Sequence, residues 1–306
     1  MWLVFVLYAL FASVFTISKE ALAHGSPLFL VGSRMIIAGI ALLGLEWFRG
    51  QFKLSFSRRA IQKMILLALV AIYLTNVLEF WGLKYLTSFK ACFIYSLCPF
   101  ASALFSYLLL NETLTPKKWL GLVVGFVSLT PILLNGTPLE EAAGQLWLFS
   151  WPELAVAGAA LSSVWGWILL KQLVKEEGIA PMTANGVSMT LGGTIALIHS
   201  LFVESWQPIP LTNFAPAIAC TALLIIISNF VCYNLYGYLL QRFSATFLSF
   251  SGLSTPLFCA LFGWLAYGEV TNFSFWLSFI GVLFGLVVFY SEEVLFSQKA
   301  PKAATS

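Results

Sequence analysis

Glu79 stands four residues before the end of an apolar run, with Thr75 and Asn76 one helical turn before it and Gly82 one turn after. The four make a narrow polar stripe on a segment otherwise rich in leucine. A carboxylate in hydrocarbon is costly unless it faces a cavity or a partner. Three roles suit one here: counter-ion for a cationic substrate, proton carrier, or structural partner of Lys84 or Arg34. A second stripe, Ser228, Asn229, Cys232 and Tyr236, lies in the other half of the chain. At the internal register described below, Tyr236 stands where Glu79 does. A cavity between the two stripes is therefore acidic on one side only.

Other chemistries lack their residues. Every one of the 13 acidic residues is a glutamate, and the sequence has no phosphate loop and no Ser/His arrangement. His24 and His199 have no ligand-spaced partner and read as hydrogen-bonded residues near an interface. The five cysteines, Cys92, Cys98, Cys220, Cys232 and Cys259, all fall inside apolar runs without metal-ligand spacing. No enzyme activity, cofactor or metal is expected. The net charge of +3 is too small and too scattered for nucleic acid. The partners expected are a small-molecule substrate and the lipid bilayer, with a homodimer left open.

The elements that must position Glu79 are membrane helices. Of 306 residues, 60% are hydrophobic and 9% charged, against about 25% charged in a soluble domain. A span needs about 20 apolar residues. Ten candidates fall roughly at 2–17, 27–47, 61–83, 89–110, 116–135, 152–171, 181–203, 213–237, 243–267 and 272–291. The fold class is an all-α polytopic membrane protein. With the N-terminus inside, the cytoplasmic set holds twelve basic residues: Arg49, Lys53, Arg58, Arg59, Lys63, Lys117, Lys118, Lys171, Lys175, Arg242, Lys299 and Lys302. Lys19, Lys84 and Lys90 make three outside, and Arg34 lies within the second span. This bias puts both termini in the cytoplasm of a cell (inner) membrane protein. The first segment lacks the basic n-region of a secretion signal and reads as a retained helix.

The chain also repeats itself. Leu97 to Leu120 and Ser254 to Leu277 share one pattern at an offset of 157 residues: Pro99 and Pro256, then Glu112 and Glu269, then Trp119 and Trp276. Residues 1–135 and 152–291 form two five-helix repeats, joined by an external linker at 136–151 and followed by a cytoplasmic tail at 292–306. Five is odd, so the halves insert with opposite orientation. Inverted repeats hold substrate at their interface near the midplane and give alternating access by rocking.

Phe15, Lys19, Ser26-Pro27 and Arg34, then Leu83-x3-Thr87-Ser88, Pro99, Asn111-Glu112 and Gly121-x3-Gly125, resemble the EamA-type repeat of the drug/metabolite transporter superfamily. Pro256 and Gly268-Glu269 repeat it in the second half. The resemblance covers nearly the whole chain, with two departures: Arg34 has no basic counterpart, and Asn111 stands where the family commonly has glycine. It implies a basket of ten helices around a cavity lined by helices 1, 3, 4, 6, 8 and 9.

Pro99 and Pro256 each remove a helical hydrogen bond, and read either as hinges or as fixed bends needed for packing. Glu112 can cap the helix opened by Thr115-Pro116. It and Glu269 alternatively make cytoplasmic gate contacts. Phe15, Tyr73, Trp81, Tyr95, Trp165 and Tyr236 lie on helices that the family places around the cavity. Aromatic faces beside one carboxylate suit an organic cation.

Among family members this combination resembles the S-adenosylmethionine transporters of obligate intracellular bacteria, which import that metabolite and can exchange it for S-adenosylhomocysteine. The resemblance implies adenine stacked on aromatics, the sulfonium at Glu79 or a ring face, and the carboxylate on Lys19 or Arg34. The alternatives are an exporter of amino acids or other small amphipathic metabolites, and a non-transporting membrane scaffold.

Overall fold

The computed structural model describes residues 2–50, 56–110, 115–134, 136–147, 149–242, 248, 251–268 and 270–299. Asn111, Glu112 and Glu269 lie outside the described residues. The main helical segments among those described are, in chain order, α1 (Trp2–His24), α2 (Pro27–Phe48), α3 (Arg58–Leu83), α4 (88–110), α5 (Pro116–Val127, continued by Thr130–Leu133), α6 (Trp151–Lys175), α7 (Pro181–Val203), α8 (Phe214–Arg242), α9 (252–267) and α10 (Phe273–Lys299). Seven of them, α1 to α4 and α6 to α8, are long and apolar enough to cross a membrane, and α9 and α10 add shorter apolar stretches. The protein is an all-α, multi-pass membrane protein.

Element ends follow local chemistry. Ser57, Thr87, Thr115 and Ser150 cap α3, α4, α5 and α6 by accepting an amide hydrogen bond from the residue three positions on. Pro27, Pro116 and Pro181 open their helices where a missing N–H costs nothing. Several spans run past the sequence reading: α1 continues to His24, and α10 continues to Lys299, into the stretch read as tail. No glycine or proline interrupts 286–300, so nothing stops the last helix before Pro301. The linker read as a loop holds a short helix, Pro138–Ala142, and a hairpin pairing β1 (Gln145–Leu146) with β2 (Phe149–Ser150).

Two antiparallel helix pairs are interlocked through glycine. On α2 and α7, a Cβ at Gly39 would lie 2.6 Å from the Thr190 amide nitrogen, and one at Gly193 would lie 2.8 Å from the Ile36 amide nitrogen. On α5 and α10, a Cβ at Gly121 would meet the Gly285 carbonyl at 2.7 Å. With no hydrophobic drive between helices in lipid, such backbone approach supplies the contact. The α2/α7 pair is also clasped at both ends. Glu204, at the end of α7, accepts from the Leu28 and Phe29 amides at the start of α2, at 2.8 and 2.9 Å. Glu46, near the end of α2, accepts from the Thr183 hydroxyl in the first turn of α7, at 3.1 Å. Each carboxylate thereby sits at the positive end of the neighbouring helix.

Around these pairs, α1 packs against α8 and α9, as α6 packs against α3 and α4. Exchanging every helix for the one five places along leaves this packing pattern unchanged.

Gly193→Val should abolish the folded protein, since the added atoms meet backbone that cannot yield. Gly44→Val, with nothing within 4 Å of its Cβ, should leave it intact. Size-exclusion profiles in detergent check both outcomes.

Candidate functional site

The spaces between α1, α2, α3, α4, α6, α8 and α9 form one cavity of about 220 Å³. Phe15, Arg34, Thr75, Asn76, Glu79, Tyr95 and Pro99 line it at one end, and Tyr8, Trp167, Lys171, Tyr236 and Leu240 at the other. The first end lies closer to Lys90, the second closer to the ends of α6 and α8.

Four of the seven helices around the cavity, α3, α4, α8 and α9, are broken, and broken at matching places. In α3 the run Ala68–Leu74 is π-helical, and in α8 the run Ile225–Cys232 is. The two begin 157 residues apart, the offset of the repeat. A π turn widens the helix and leaves carbonyls badly served. In hydrocarbon some other donor must reach them. Asn76 Nδ2 donates to the Ala71 and Ile72 carbonyls at 3.2 and 2.9 Å, and Asn234 Nδ2 donates to those of Asn229 and Phe230 at 3.1 and 2.9 Å. The Val70 carbonyl accepts from the Thr75 hydroxyl at 2.9 Å and from the Ser162 hydroxyl of α6 at 2.7 Å.

The prolines act in the same way. Pro99 has no N–H for the Tyr95 carbonyl, and Pro256 has none for that of Gly252. In each case the chain tightens into a 3-10 turn, Tyr95–Leu97 or Gly252–Ser254, so that the Cys98 or Thr255 amide serves the carbonyl instead. The turn at Tyr95 sets that side chain across from Glu79.

The polar end gathers two hydrogen-bonded groups in one cavity. The Tyr95 hydroxyl donates to the Glu79 carboxylate. Arg34, 2% exposed, donates through Nη2 to Asn76 Oδ1 at 2.7 Å and lies over the Phe80 ring at 4.9 Å. Its Nε and Nη1 have no hydrogen-bond partner among the described residues. Asn76 also reaches the Tyr233 hydroxyl, at 3.4 Å. Phe15 meets Tyr95 edge to face, ring centroids 5.3 Å apart. No lysine or arginine lies within ion-pair distance of Glu79 among the described residues. The direct hydrogen-bond partner of Glu79 is Tyr95, and Arg34 acts on it electrostatically from beyond ion-pair distance. An unspent guanidinium edge and a carboxylate in one cavity can hold a zwitterion or an organic cation with a carboxylate arm.

Several expected residues lie elsewhere. Lys19 donates to the Leu86 carbonyl, because it leaves α1 a turn beyond the cavity. Tyr73 bonds His199 Nδ1 at 3.0 Å, outside the lining. Trp81 and Trp165 are exposed on outer faces of α3 and α6, and Trp81 packs on Tyr85. Asn229 is buried and donates to the sulfur of Met35 at 3.0 Å. Pro256 is buried outside the lining, whereas Pro99 borders the cavity. The sequence reading missed Trp167, Tyr8, Tyr233 and Lys171. A signal was present: Ser163, Trp167 and Lys171 recur at helical spacing on α6.

The end nearer Lys90 is sealed. Lys90 Nζ lies 2.7 Å from Glu140 of the linker and 2.7 Å from Glu153 in the first turn of α6, with all three side chains almost wholly buried. The Ser150 hydroxyl donates to Glu140 at 2.9 Å, and the Ser150 amide to Glu153 at 2.8 Å. Lys90, counted among the external basic residues, ties the first half of the chain to the linker and to the second half. Below it, Phe15, Leu83, Leu86, Cys92, Val156 and Cys259 form an apolar plug.

Residues 1–134 and 150–291 match the model of the EamA-like transporter family. The chain belongs to that family. It is similar to the S-adenosylmethionine/S-adenosylhomocysteine transporter of Chlamydia muridarum, 43% identical over 88% of this chain and 84% of that protein. The protein of the same description in Chlamydia trachomatis serovar L2 is 43% identical, covering 88% and 82%. An uncharacterised transporter of Synechocystis is 29% identical over 92% of this chain and 86% of its own. A solved crystal structure aligns with a TM-score of 0.67, covering 97% of this chain and 98% of its own at 15% identity, a likeness of fold.

Lys90→Met leaves two carboxylates buried without their cation and should lower stability by about 3–5 kcal/mol. The triple variant Lys90→Met, Glu140→Gln, Glu153→Gln should recover most of the loss. Thermal melting of the purified proteins measures both.

Proposed function

We propose that this protein carries S-adenosylmethionine across the cell membrane by alternating access, with S-adenosylhomocysteine as the exchange substrate. The observation that carries the reading is Arg34, buried in the cavity with Nε and Nη1 unpartnered beside the Tyr95-bound Glu79. A substrate with a carboxylate and fixed positive charge meets both needs at once: the carboxylate engages the guanidinium, and the sulfonium or ammonium sits near the carboxylate. Two relatives at 43% identity named for this substrate pair support the choice. With Lys19 on a backbone carbonyl, the carboxylate falls to Arg34.

The two five-helix repeats, 1–135 and 152–291, are the bodies that rock. Their matching π segments, 3-10 turns and packing support that division. Pro99 and Pro256, each beside a 3-10 turn, are where the cavity helices bend. The bias of basic residues puts the Lys171 end of the cavity in the cytoplasm. The Lys90 side is then the closed external gate, and this state faces inward.

Glu79→Gln should abolish uptake of labelled S-adenosylmethionine by expressing cells while the protein remains in the membrane at wild-type level. Normal uptake by that variant would remove Glu79 from the mechanism.

A further inference from the structure

The two ends of the cavity differ in chemistry. At the deep end stand Arg34, Asn76 and Glu79. At the end nearer Lys171, Trp167 stacks on Tyr236, ring centroids 4.1 Å apart and planes 28° from parallel. Tyr233 joins the two ends. Its ring centroid is 5.4 Å from that of Trp167, and its hydroxyl is 3.4 Å from Asn76 Nδ2. Lys171, one turn beyond Trp167 on the same face, also borders the cavity. A fixed cation is favoured near Glu79 and disfavoured near Lys171.

We infer that Trp167 is the platform for the heteroaromatic ring of the substrate, which binds with its amino-acid end at Arg34 and Glu79 and its ring toward Lys171. This rests on the function proposed above and adds a specificity-determining residue and a binding orientation to it. The deep end carries the guanidinium and the carboxylate, and its lining rings, Phe15 and Tyr95, are set edge to face against each other. Among the described lining residues, the Trp167 end offers aromatic rings and no carboxylate. A ligand whose ring and head are separated by a sugar spans the one tyrosine between them. Trp167 thus selects for the nucleoside part, and Arg34 for the amino-acid part.

The test uses full-length protein in proteoliposomes loaded with S-adenosylhomocysteine, exchanging for labelled S-adenosylmethionine with adenosine as a competitor. Trp167→Leu should raise KM by about tenfold, the order set by one base–aromatic stack, with kcat little changed, and should lose inhibition by adenosine. Trp167→Phe should retain most of both. Arg34→Gln should weaken the substrate but leave inhibition by adenosine intact. An unaltered KM in Trp167→Leu, no inhibition of the wild type by adenosine, or inhibition lost equally in Arg34→Gln would overturn the inference while leaving the proposed function standing. Wild-type protein that exchanges no S-adenosyl compound would overturn both. Melting temperatures identify a variant that fails to fold, in which case Trp167→Phe against wild type decides: a retained adenosine site supports the platform and a lost one overturns it.

Discussion

Hydrocarbon offers no hydrogen-bond partner, and this one fact organises the molecule. A helix that crosses it unbroken satisfies its own backbone, as α1, α2 and α6 do. The cavity helices α3, α4, α8 and α9 are each broken, and each break is served by a specific donor. Asn76 and Asn234 reach the carbonyls of the π segments, and the 3-10 turns before Pro99 and Pro256 supply an amide where proline has none. The polar side chains that make the breaks tolerable are then already present where a substrate would sit. Asn76 serves the backbone with its amide nitrogen and Arg34 with its oxygen.

The halves share this device and differ in what surrounds it. In the first half, Arg34 on α2 donates to the π-capping Asn76. In the second, Asn185 on α7 donates to the π-capping Asn234, at 3.0 Å. A neutral amide therefore takes the place of the guanidinium, and Arg34 has a geometric counterpart though not a charged one. Glu79 and Tyr95 correspond at the repeat offset to Tyr236 and Gly252. A Cβ at Gly252 would lie 3.1 Å from the Tyr8 ring, so Tyr8 fills the space that a second Tyr95 would need. The carboxylate and the guanidinium stand at one end of the pseudo-symmetric cavity, and Lys171 with the Trp167–Tyr236 stack at the other, so the two ends are chemically distinct.

The sequence made the architecture legible because it is written in composition and spacing: apolar runs, the offset between Pro99 and Pro256, and the basic bias. Glu79, Asn76, Thr75, Arg34 and Tyr95 were legible because polarity in hydrocarbon is conspicuous. Aromatic residues were not, since they are at home in lipid, interface and cavity alike. Trp165 and Trp167 are two residues apart, and only the rotation of α6 decides which one faces inward. Long-range pairs such as Lys90 with Glu140 and Glu153, or Glu204 with the start of α2, depend on which helices become neighbours, and no local pattern carries that. The π segments were equally hidden, although Asn76 and Asn234 mark where they end.

We propose that the residues around Arg34, Asn76 and Glu79 are the substrate site. A structure of the wild-type protein in lipid nanodiscs with saturating S-adenosylhomocysteine tests it most directly. Density is expected in the cavity, with the ligand carboxylate against Nε and Nη1 of Arg34. A ligand held elsewhere, or a cavity that stays empty at saturation, would contradict it.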